Sequence, residues 1–352
     1  MAVTTVEILN TIRDNADDLY IKRVPSATKD NIAEVGKAIT SSTITANAFL
    51  TALINRIAET HIKSKAFKNP LARLKGANVP MGANIQEIFI NPATDVGFDN
   101  DGTTLLKTTK PDGKACYYGL NRQGKYPQTI SSVELERAFI SEQTFMSLYN
   151  GIVTSLASGD EIDEFTLCKK TVGKAIDNGA VLIVESDIEK PKELSKSISK
   201  MHSSFQFPNT AFCGYNLVNK KTLETNKEDE CVTFCRPENQ CLPIRSDVQT
   251  EINYEVLASM FHMDVATLEA ITILVDTIPS EKYDVYAVLM DKESIQMRDV
   301  VYRTETMYNG STLATNLWLH HWQFIYLSMF GNCCAFAKTK TATGGGGSTG
   351  TP

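Results

Sequence analysis

The chain has 352 residues, 42% of them hydrophobic and 22% charged, so it can bury a substantial core. Its formal net charge of −6 argues against a protein that condenses nucleic acid, because neutralising phosphates requires a strongly basic surface. The N-terminus lacks the basic and apolar regions of a secretory signal, so we expect the eight cysteines to be reduced thiols.

Two helices are predicted in the first eighty residues. Thr4 and Glu7 have the spacing of a capping box, and apolar residues follow them at helical intervals. We expect an extended polar segment up to Pro25. A second apolar stripe at 45–62 predicts a longer helix that ends before Pro70, because the residue before a proline avoids helical backbone angles.

Segment 84–130 is rich in turn signals and poor in apolar residues. Its run at 85–90 alternates as a strand does, and the Asp-Gly pairs at 101–102 and 112–113 suit hairpin turns, since glycine accepts a positive φ. A hairpin excursion of this length cannot bury itself, so we expect it to lie against another molecule. The residues expected at that contact are Asp99, Asn100, Asp101, Gly102, Asp112, Gly113 and Arg122.

The strongest helical pattern follows this segment. Ser131 and Glu134 form a second capping box, and the apolar stripe at 135–156 predicts a long helix. We expect Gly159 to end this helix and a second helix to run on to a C-cap at Asn178-Gly179. A buried strand is predicted at 181–184.

The C-terminal half mixes short helices and strands, which makes the whole chain α+β, with last strands that return to the early helices. Its predicted elements are helices at 192–201, 255–261 and 265–271, a loop-rich region at 208–245, and strands at 285–290, 296–302 and 318–336. The apolar stretch 317–337 contains too many polar residues for a membrane span. The glycine-rich tail, 339–352, is expected to be flexible.

The sequence lacks the common signatures of phosphate, dinucleotide and zinc-hydrolase sites, so we predict no enzyme, no cofactor and no metal. Cys231, Cys235 and Cys241 lack paired CxxC spacing and a nearby histidine, which favours ordinary packing over a metal site. His320 and His321 are adjacent on a predicted strand, so their side chains point to opposite faces and do not share one site.

A basic group before the hairpin segment has two interpretations. It faces DNA or an acidic neighbour, or it is the solvated end of a helix. Its members are Lys63, Lys65, Lys68, Arg73 and Lys75.

Five segments together resemble the major capsid proteins of the phi-twenty-nine-like small podoviruses, or picoviruses, in the same order and at similar spacing. The likeness covers about residues 8–337. The segments are KDNIAEVGKAI (29–39), NPLARLKGANVPMGANIQEIF (69–89), NRQGKYPQTI (121–130), EINYEVLASMF (251–261) and AVLMDKE (287–293).

The resemblance implies the Hong Kong ninety-seven-like phage capsid fold, with an N-arm, an E-loop that lies across neighbouring subunits, a P-domain with a spine helix, and an A-domain. The implied divisions are 1–83 for the N-terminal arm and helix, 84–130 for the E-loop, 131–190 for the P-domain with its spine helix, 191–284 for the A-domain, 285–338 for the P-domain return strands and 339–352 for the tail.

The resemblance further implies self-assembly into hexamers and pentamers of an icosahedral head that encloses double-stranded DNA. The implied partners are a scaffolding protein, a portal, head fibre or decoration proteins and non-specifically bound packaged DNA, but no membrane. The implied location is the virion, after assembly in the bacterial host cytoplasm.

The alternative is a cytosolic enzyme or nucleic-acid-binding module with a site around His320, His321 and the cysteine group. A hairpin folded onto its own core favours that alternative, whereas a protruding hairpin favours a shell.

Overall fold

The structure is a computed structural model. It describes residues 4–60, 67–95, 97, 100, 102, 106, 108, 110–225, 227–251 and 272–340. The predicted helices at 255–261 and 265–271 and most of the tail lie outside these residues.

Four helices form the N-terminal part of the chain: α1 Thr5–Asp14, α2 Asp18–Arg23, α3 Ile32–Thr40 and α4 Thr43–Thr60. The predicted capping box is confirmed, because Thr4 Oγ1 accepts from Glu7 N at 3.4 Å and the Glu7 carboxylate accepts from Thr4 N at 3.0 Å. The predicted extended segment before Pro25 is wrong. It contains α2, whose Tyr20 is buried in the core and stabilises a helix too short to persist alone.

The long apolar stripe forms two helices, α5 Ser132–Ala138 and α6 Glu142–Asp177. The chain breaks between them because Ser141 and Thr144 form a capping box that starts a new helix. The stripe is nevertheless buried on both sides of the break, since Leu135, Phe145 and Leu156 are all in the core.

Helix α6 continues through Gly159, so the prediction of a helix end there is wrong. A glycine inside a helix costs only about 1 kcal/mol relative to alanine, and ion pairs of the next residue, Asp160, hold this turn in place. The predicted C-cap is confirmed: α6 ends at Asp177, Asn178 is its C-cap, and Gly179 has a φ of 74°.

The strands form three sheets. A two-stranded sheet pairs β1 Ile85–Ile90 with β2 Gly113–Tyr118. An antiparallel three-stranded sheet has the order β3-β9-β8, with β3 Arg122–Ser131, β8 Ile295–Asn309 and β9 Ala314–Leu327. A mixed five-stranded sheet has the order β4-β10-β7-β5-β6, with β4 Leu182–Glu185, β5 Gln240–Arg245, β6 Thr272–Val275, β7 Tyr283–Asp291 and β10 Cys333–Thr339.

The predicted loop-rich region before β5 contains short helical elements. The helices of this half are α7 Pro191–Ser204, α8 Gly214–Val218, α9 Lys220–Leu223 and α10 Ser246–Glu251, with short 3-10 turns at Lys227–Asp229 and Pro237–Asn239. A further 3-10 turn, Pro70–Leu74, lies between α4 and β1.

Hydrophobic clusters join these elements into layers. Leu317 and Leu319 of β9 pack with the N-terminal helices, so the predicted return of the last strands to the early helices is confirmed. Val172 and Ile176 of α6 cover one face of the five-stranded sheet, and Leu194 of α7 covers the other.

Sheet membership departs from the predicted divisions at two places. Strand β3 lies inside the expected 84–130 excursion but pairs with β9 in the three-stranded sheet. Strand β7 crosses the expected boundary at residue 285 and lies, with β4 and β10, in the five-stranded sheet. These pairings join distant stretches of chain, so local sequence patterns carry no signal for them.

Candidate contact surface and buried charge network

The β1–β2 hairpin has one face on its own chain. Side chains along both strands alternate between half-buried and exposed, as a sheet with one covered face requires. On the inner face, the Phe89 ring stacks on Phe330 with 5.4 Å between centroids, and Tyr118 stacks on Tyr326 at 3.8 Å. The hairpin is therefore a fixed part of the subunit along these strands.

Polar contacts also attach the hairpin to its own chain. The Glu87 carboxylate accepts hydrogen bonds from Tyr118 Oη at 2.8 Å and from Ser328 Oγ at 2.6 Å. The Asn91 side chain accepts from Val232 N at 3.0 Å and donates to Glu230 O at 2.8 Å. Both strands of the hairpin thus contact residues distant in sequence.

The outer face of the hairpin, formed by Gln86, Ile88, Ile90, Ala115 and Tyr117, is exposed and largely apolar. Ile88 is 61% exposed, Ile90 60% and Tyr117 71%. Large apolar side chains grouped on a surface mark sites of protein contact. Within the described part of segment 84–130, this exposed apolar face is therefore our candidate for the surface that contacts another molecule.

The residues predicted for the excursion contact have different environments. Asn100 is exposed in a turn, and Gly102 has the positive φ, 67°, expected of a turn glycine; Asp99 and Asp101 lie outside the described residues. The predicted turn at Asp112 and Gly113 is wrong, because Gly113 pairs with Ile90 in the ladder. The Asp112 carboxylate accepts hydrogen bonds from Asn91 and Lys114 and so acts within the hairpin.

Arg122, also predicted at that contact, lies inside the subunit. Its side chain is 5% exposed, and Nη2 lies 2.5 Å from Asp160 Oδ1 in an ion pair between β3 and α6. The same guanidinium reaches the Glu164 carboxylate at 3.6 Å and hydrogen-bonds to Gln323 Oε1. Its assignment to a neighbour contact is corrected, because its charge is neutralised within its own chain.

Arg122 belongs to what we call the buried charge network, which joins α6 to the three-stranded sheet. His321 Nδ1 lies 2.8 Å from both Asp160 oxygens, and His321 Nε2 lies 3.1 Å from Asp299 Oδ1. Three bases and three acids therefore meet with the amide of one glutamine. The members are Lys75, Arg122, Asp160, Glu164, Asp299, His321 and Gln323.

The network shifts the pKa of its members in opposite directions. Burial would lower the pKa of His321, but its bonds to Asp160 and Asp299 outweigh burial and raise that pKa above 6.5. Burial would raise the pKa of Asp160, but His321 and Arg122 hold it below 3.8. Both shifts favour the charged forms of His321 and Asp160.

The network also contains a candidate cation site, which its own side chains fill. Glu164, Asp299 and His321 are close enough to share an ion. However, Lys75 Nζ lies 2.8 Å from the Glu164 carboxylate, and Gln323 Nε2 lies 2.5 Å from both carboxylates. The carboxylate oxygens that a metal would need are thus already bonded to an ammonium and an amide.

The members of the predicted basic group that the structure describes lie in different environments. Lys75 belongs to the buried charge network, so its assignment to DNA or an acidic neighbour is corrected. Lys68 and Arg73 are exposed beside it, and Lys63 and Lys65 lie outside the described residues.

The cysteine group divides among three cores. The thiols of Cys231, Cys235 and Cys241 are all buried, and each lies in a different hydrophobic cluster. This agrees with ordinary packing. His320 is half-buried and His321 is 2% exposed, so the two rings lie on opposite faces of β9, as predicted.

Sequence reasoning missed the network, although β9 carries a signal for it. Leu317, Leu319 and Ile325 alternate along β9 and point into the core. His321 and Gln323 have the same parity, so two polar side chains lie on the buried face and need partners there. The pattern does not say which residues those partners are.

The model of a protein family described as "Phi29-like phage major capsid protein" matches residues 9–337. The chain belongs to this family. It is 30% identical to the major capsid protein of Bacillus phage B103 over 338 residues, which cover 94% of this chain and 72% of the relative. It is 26% identical to that of Streptococcus phage Cp-1, with 94% of this chain and 93% of the relative covered.

Solved structures support the fold independently. A chain of the capsid structure of Staphylococcus phage Andhra superposes with a TM-score of 0.62 at 12% identity, covering 78% of this chain and 85% of the other. A chain from a structure of the head fiber and inner core protein gp22 of bacteriophage P68 gives 0.58 at 13% identity, covering 78% and 86%. The fold is the Hong Kong ninety-seven-like capsid fold, as predicted from the resemblance.

The family decides between the two hypotheses that the sequence left open. The hairpin alone does not, because its inner face lies on its own chain and its outer face is exposed. This chain is a major capsid protein of a tailed phage, a structural protein that assembles from copies of itself in the virion. The described residues include no helix both long and apolar enough to cross a membrane.

Proposed function

We propose that this subunit forms the hexamers and pentamers of an icosahedral head, and that the outer face of the β1–β2 hairpin contacts a neighbouring copy. The contact proposal rests on the exposed apolar side chains of this face. Ile88, Ile90 and Tyr117 lie on strands that are already fixed to their own chain, so their exposure is a property of the folded subunit. Burying them in a neighbour removes apolar surface from water, and many such modest contacts stabilise a shell.

We propose to divide the subunit into domains according to its three sheets. The β1–β2 hairpin with its tip is the E-loop, and it is shorter than 84–130 because β3 belongs to another sheet. Helices α5 and α6 and the three-stranded sheet form the P-domain, with α6 as the spine helix. The five-stranded sheet with α7 to α10 forms the A-domain.

The proposed partners are a scaffolding protein, a portal, head fibre or decoration proteins and packaged double-stranded DNA, with assembly in the host cytoplasm and no enzymatic activity. The net charge of −6 suits a container that is filled by a motor, since charge neutralisation is not required of its wall. Exposed Lys68 and Arg73 are the described candidates for contacts with DNA or an acidic neighbour.

The assembly experiment uses the full chain, expressed with the scaffolding protein of the same phage. We expect closed shells by electron microscopy and a fast sedimenting fraction. The double variant Ile88→Asp, Ile90→Asp is expected to remain folded by circular dichroism and to lose at least about tenfold in shell yield, because each contact would then bury two unpaired carboxylates.

The matched control is Ile44→Asp, at a residue of α4 with a similar exposure of 66%. Aspartate suits the first turn of a helix, so this variant should fold and assemble normally. Wild-type yields of shells from the hairpin variant would refute the proposed contact.

A further inference from the structure

The buried charge network holds three parts of the subunit together. Asp160 and Glu164 come from α6, and Arg122, Asp299 and His321 come from the three-stranded sheet. The third part is segment 69–79, whose Asn69 Nδ2 donates to the Glu164 carboxylate at 2.8 Å. Its Lys75 lies 2.8 Å from the same carboxylate and 3.7 Å from Asp299 Oδ1.

Segment 69–79 leads directly into the hairpin. It runs along the edge of β8, where Gly76 N donates to Met297 O at 2.9 Å and Val79 N donates to Asp299 O at 2.9 Å. Strand β1 begins six residues later, at Ile85. Asp299 therefore contacts the entry to the hairpin through its backbone and His321 through its side chain.

His321 lies between two carboxylates from different elements. A neutral imidazole donates from one nitrogen only, and its other nitrogen carries a lone pair. In this geometry a neutral ring would direct that lone pair at Asp160, 2.8 Å away, or at Asp299, 3.1 Å away. Asp299 also accepts from Gln323 Nε2 and faces Lys75, so its oxygen is an ionised acceptor.

We propose that His321 carries a proton on both ring nitrogens, and that this positive charge fixes the entry of the β1–β2 hairpin to the sheet and to α6. Removing the proton leaves Arg122 and Lys75 opposite Asp160, Glu164 and Asp299. One buried negative charge is then uncompensated, and Asp160 and Asp299 repel each other across the neutral ring. Segment 69–79 is the least buried of the three parts and separates first, which makes the hairpin anchor sensitive to alkaline pH.

Every group that faces His321 bears on the direction of this response. Asp160 and Glu164 from α6 and Asp299 from β8 favour the proton, with the Glu164 carboxylate within 4.8 Å of the ring. Arg122 from β3 opposes it at 3.4 Å from Nδ1, and Tyr302 from β8 contacts the ring edge-on. Because the folded pKa is raised, the stabilisation is complete below about 6.5 and is lost as the pH rises through the folded value.

The first experiment measures the imidazole nitrogens of the wild-type full chain by NMR, with His320→Gln used to assign the two neighbouring rings. We expect both nitrogens of His321 to remain protonated at pH 7.5 and to titrate at a higher pH than a histidine in a peptide. A neutral His321 ring at pH 7.5 would overturn the proposal, and this test needs no variant at His321 to fold.

The second experiment compares hydrogen exchange at residues 75–79 in the wild type, in His321→Gln and in His320→Gln. After correction for intrinsic exchange, we expect wild-type protection to fall several-fold between pH 6.5 and 9.5, because His321 loses its proton and the stabilisation that depends on it. His321→Gln should be poorly protected at both pH values, and His320→Gln should follow the wild type. Equal pH dependence in His321→Gln, or none in the wild type, would overturn the proposal.

Discussion

At the scale of single residues, the position of a charge decides its role more than its type does. Arg122 and Lys75 are ordinary basic residues in the sequence; Arg122 is predicted to contact a neighbouring subunit, and Lys75 either to face DNA or an acidic neighbour or to lie at a solvated helix end. In the structure they neutralise Asp160 and Glu164 inside the subunit. Breaking such a pair by removing one partner is costly, because a charge then remains buried without compensation.

We expect Arg122→Leu to lower the free energy of unfolding by about 3–5 kcal/mol, because Asp160 and Glu164 lose their guanidinium partner. Urea unfolding followed by circular dichroism measures the change. Gln123→Ala, at the exposed next residue of β3, is the control and should change stability by less than about 0.5 kcal/mol. A loss of similar size in both variants would contradict a specific role for the buried pair.

At the scale of elements, helix α6 passes close to other parts of the chain at one glycine and far from them at another. A Cβ at Gly173 would lie 1.6 Å from Pro279 O, so the loop before β7 packs directly on the helix backbone. A Cβ at Gly151 would meet no atom within 4 Å. Both glycines lie inside α6, and they differ in the contacts that the helix makes with the rest of the chain at each position.

We therefore expect opposite effects from two identical substitutions in α6. Gly173→Ala should destabilise the chain by about 3 kcal/mol or more, because backbone atoms must move to admit the methyl group. Gly151→Ala should stabilise it by about 0.5–1 kcal/mol, because alanine favours the helix. Thermal and urea unfolding of both variants test this, and a neutral Gly173→Ala would show that the packing is looser than described.

At the scale of the whole molecule, several separate cores hold the subunit together, and three of them contain cysteines. Seven of the eight thiols are buried, and they lie in the clusters around α6, under α7 and beneath the hairpin. Cys116, on the hairpin, is only half-buried. The reactivity of the thiols therefore reports on the packing of these three hydrophobic clusters in one experiment.

In the folded chain we expect one thiol, that of Cys116, to react readily with a thiol reagent, and all eight to react after unfolding. The other seven should react slowly because they are buried, and burial also raises the pKa of the Cys241 and Cys334 thiols. Mass spectrometry of the labelled chain identifies the modified residues. Rapid modification of several buried thiols would contradict the packing of the clusters in which they lie.

Periodicity and capping chemistry in the sequence were enough to determine local elements such as α1, β1 and the C-cap of α6, because neighbouring residues make those contacts. The five ordered segments also determined the family. Tertiary structure alone decided that β3 joins β9, that β7 belongs to the five-stranded sheet, and that Arg122, Asp160 and His321 meet. These contacts join residues at least 38 positions apart in sequence, and their energy depends on burial and charge pairing that no local pattern records.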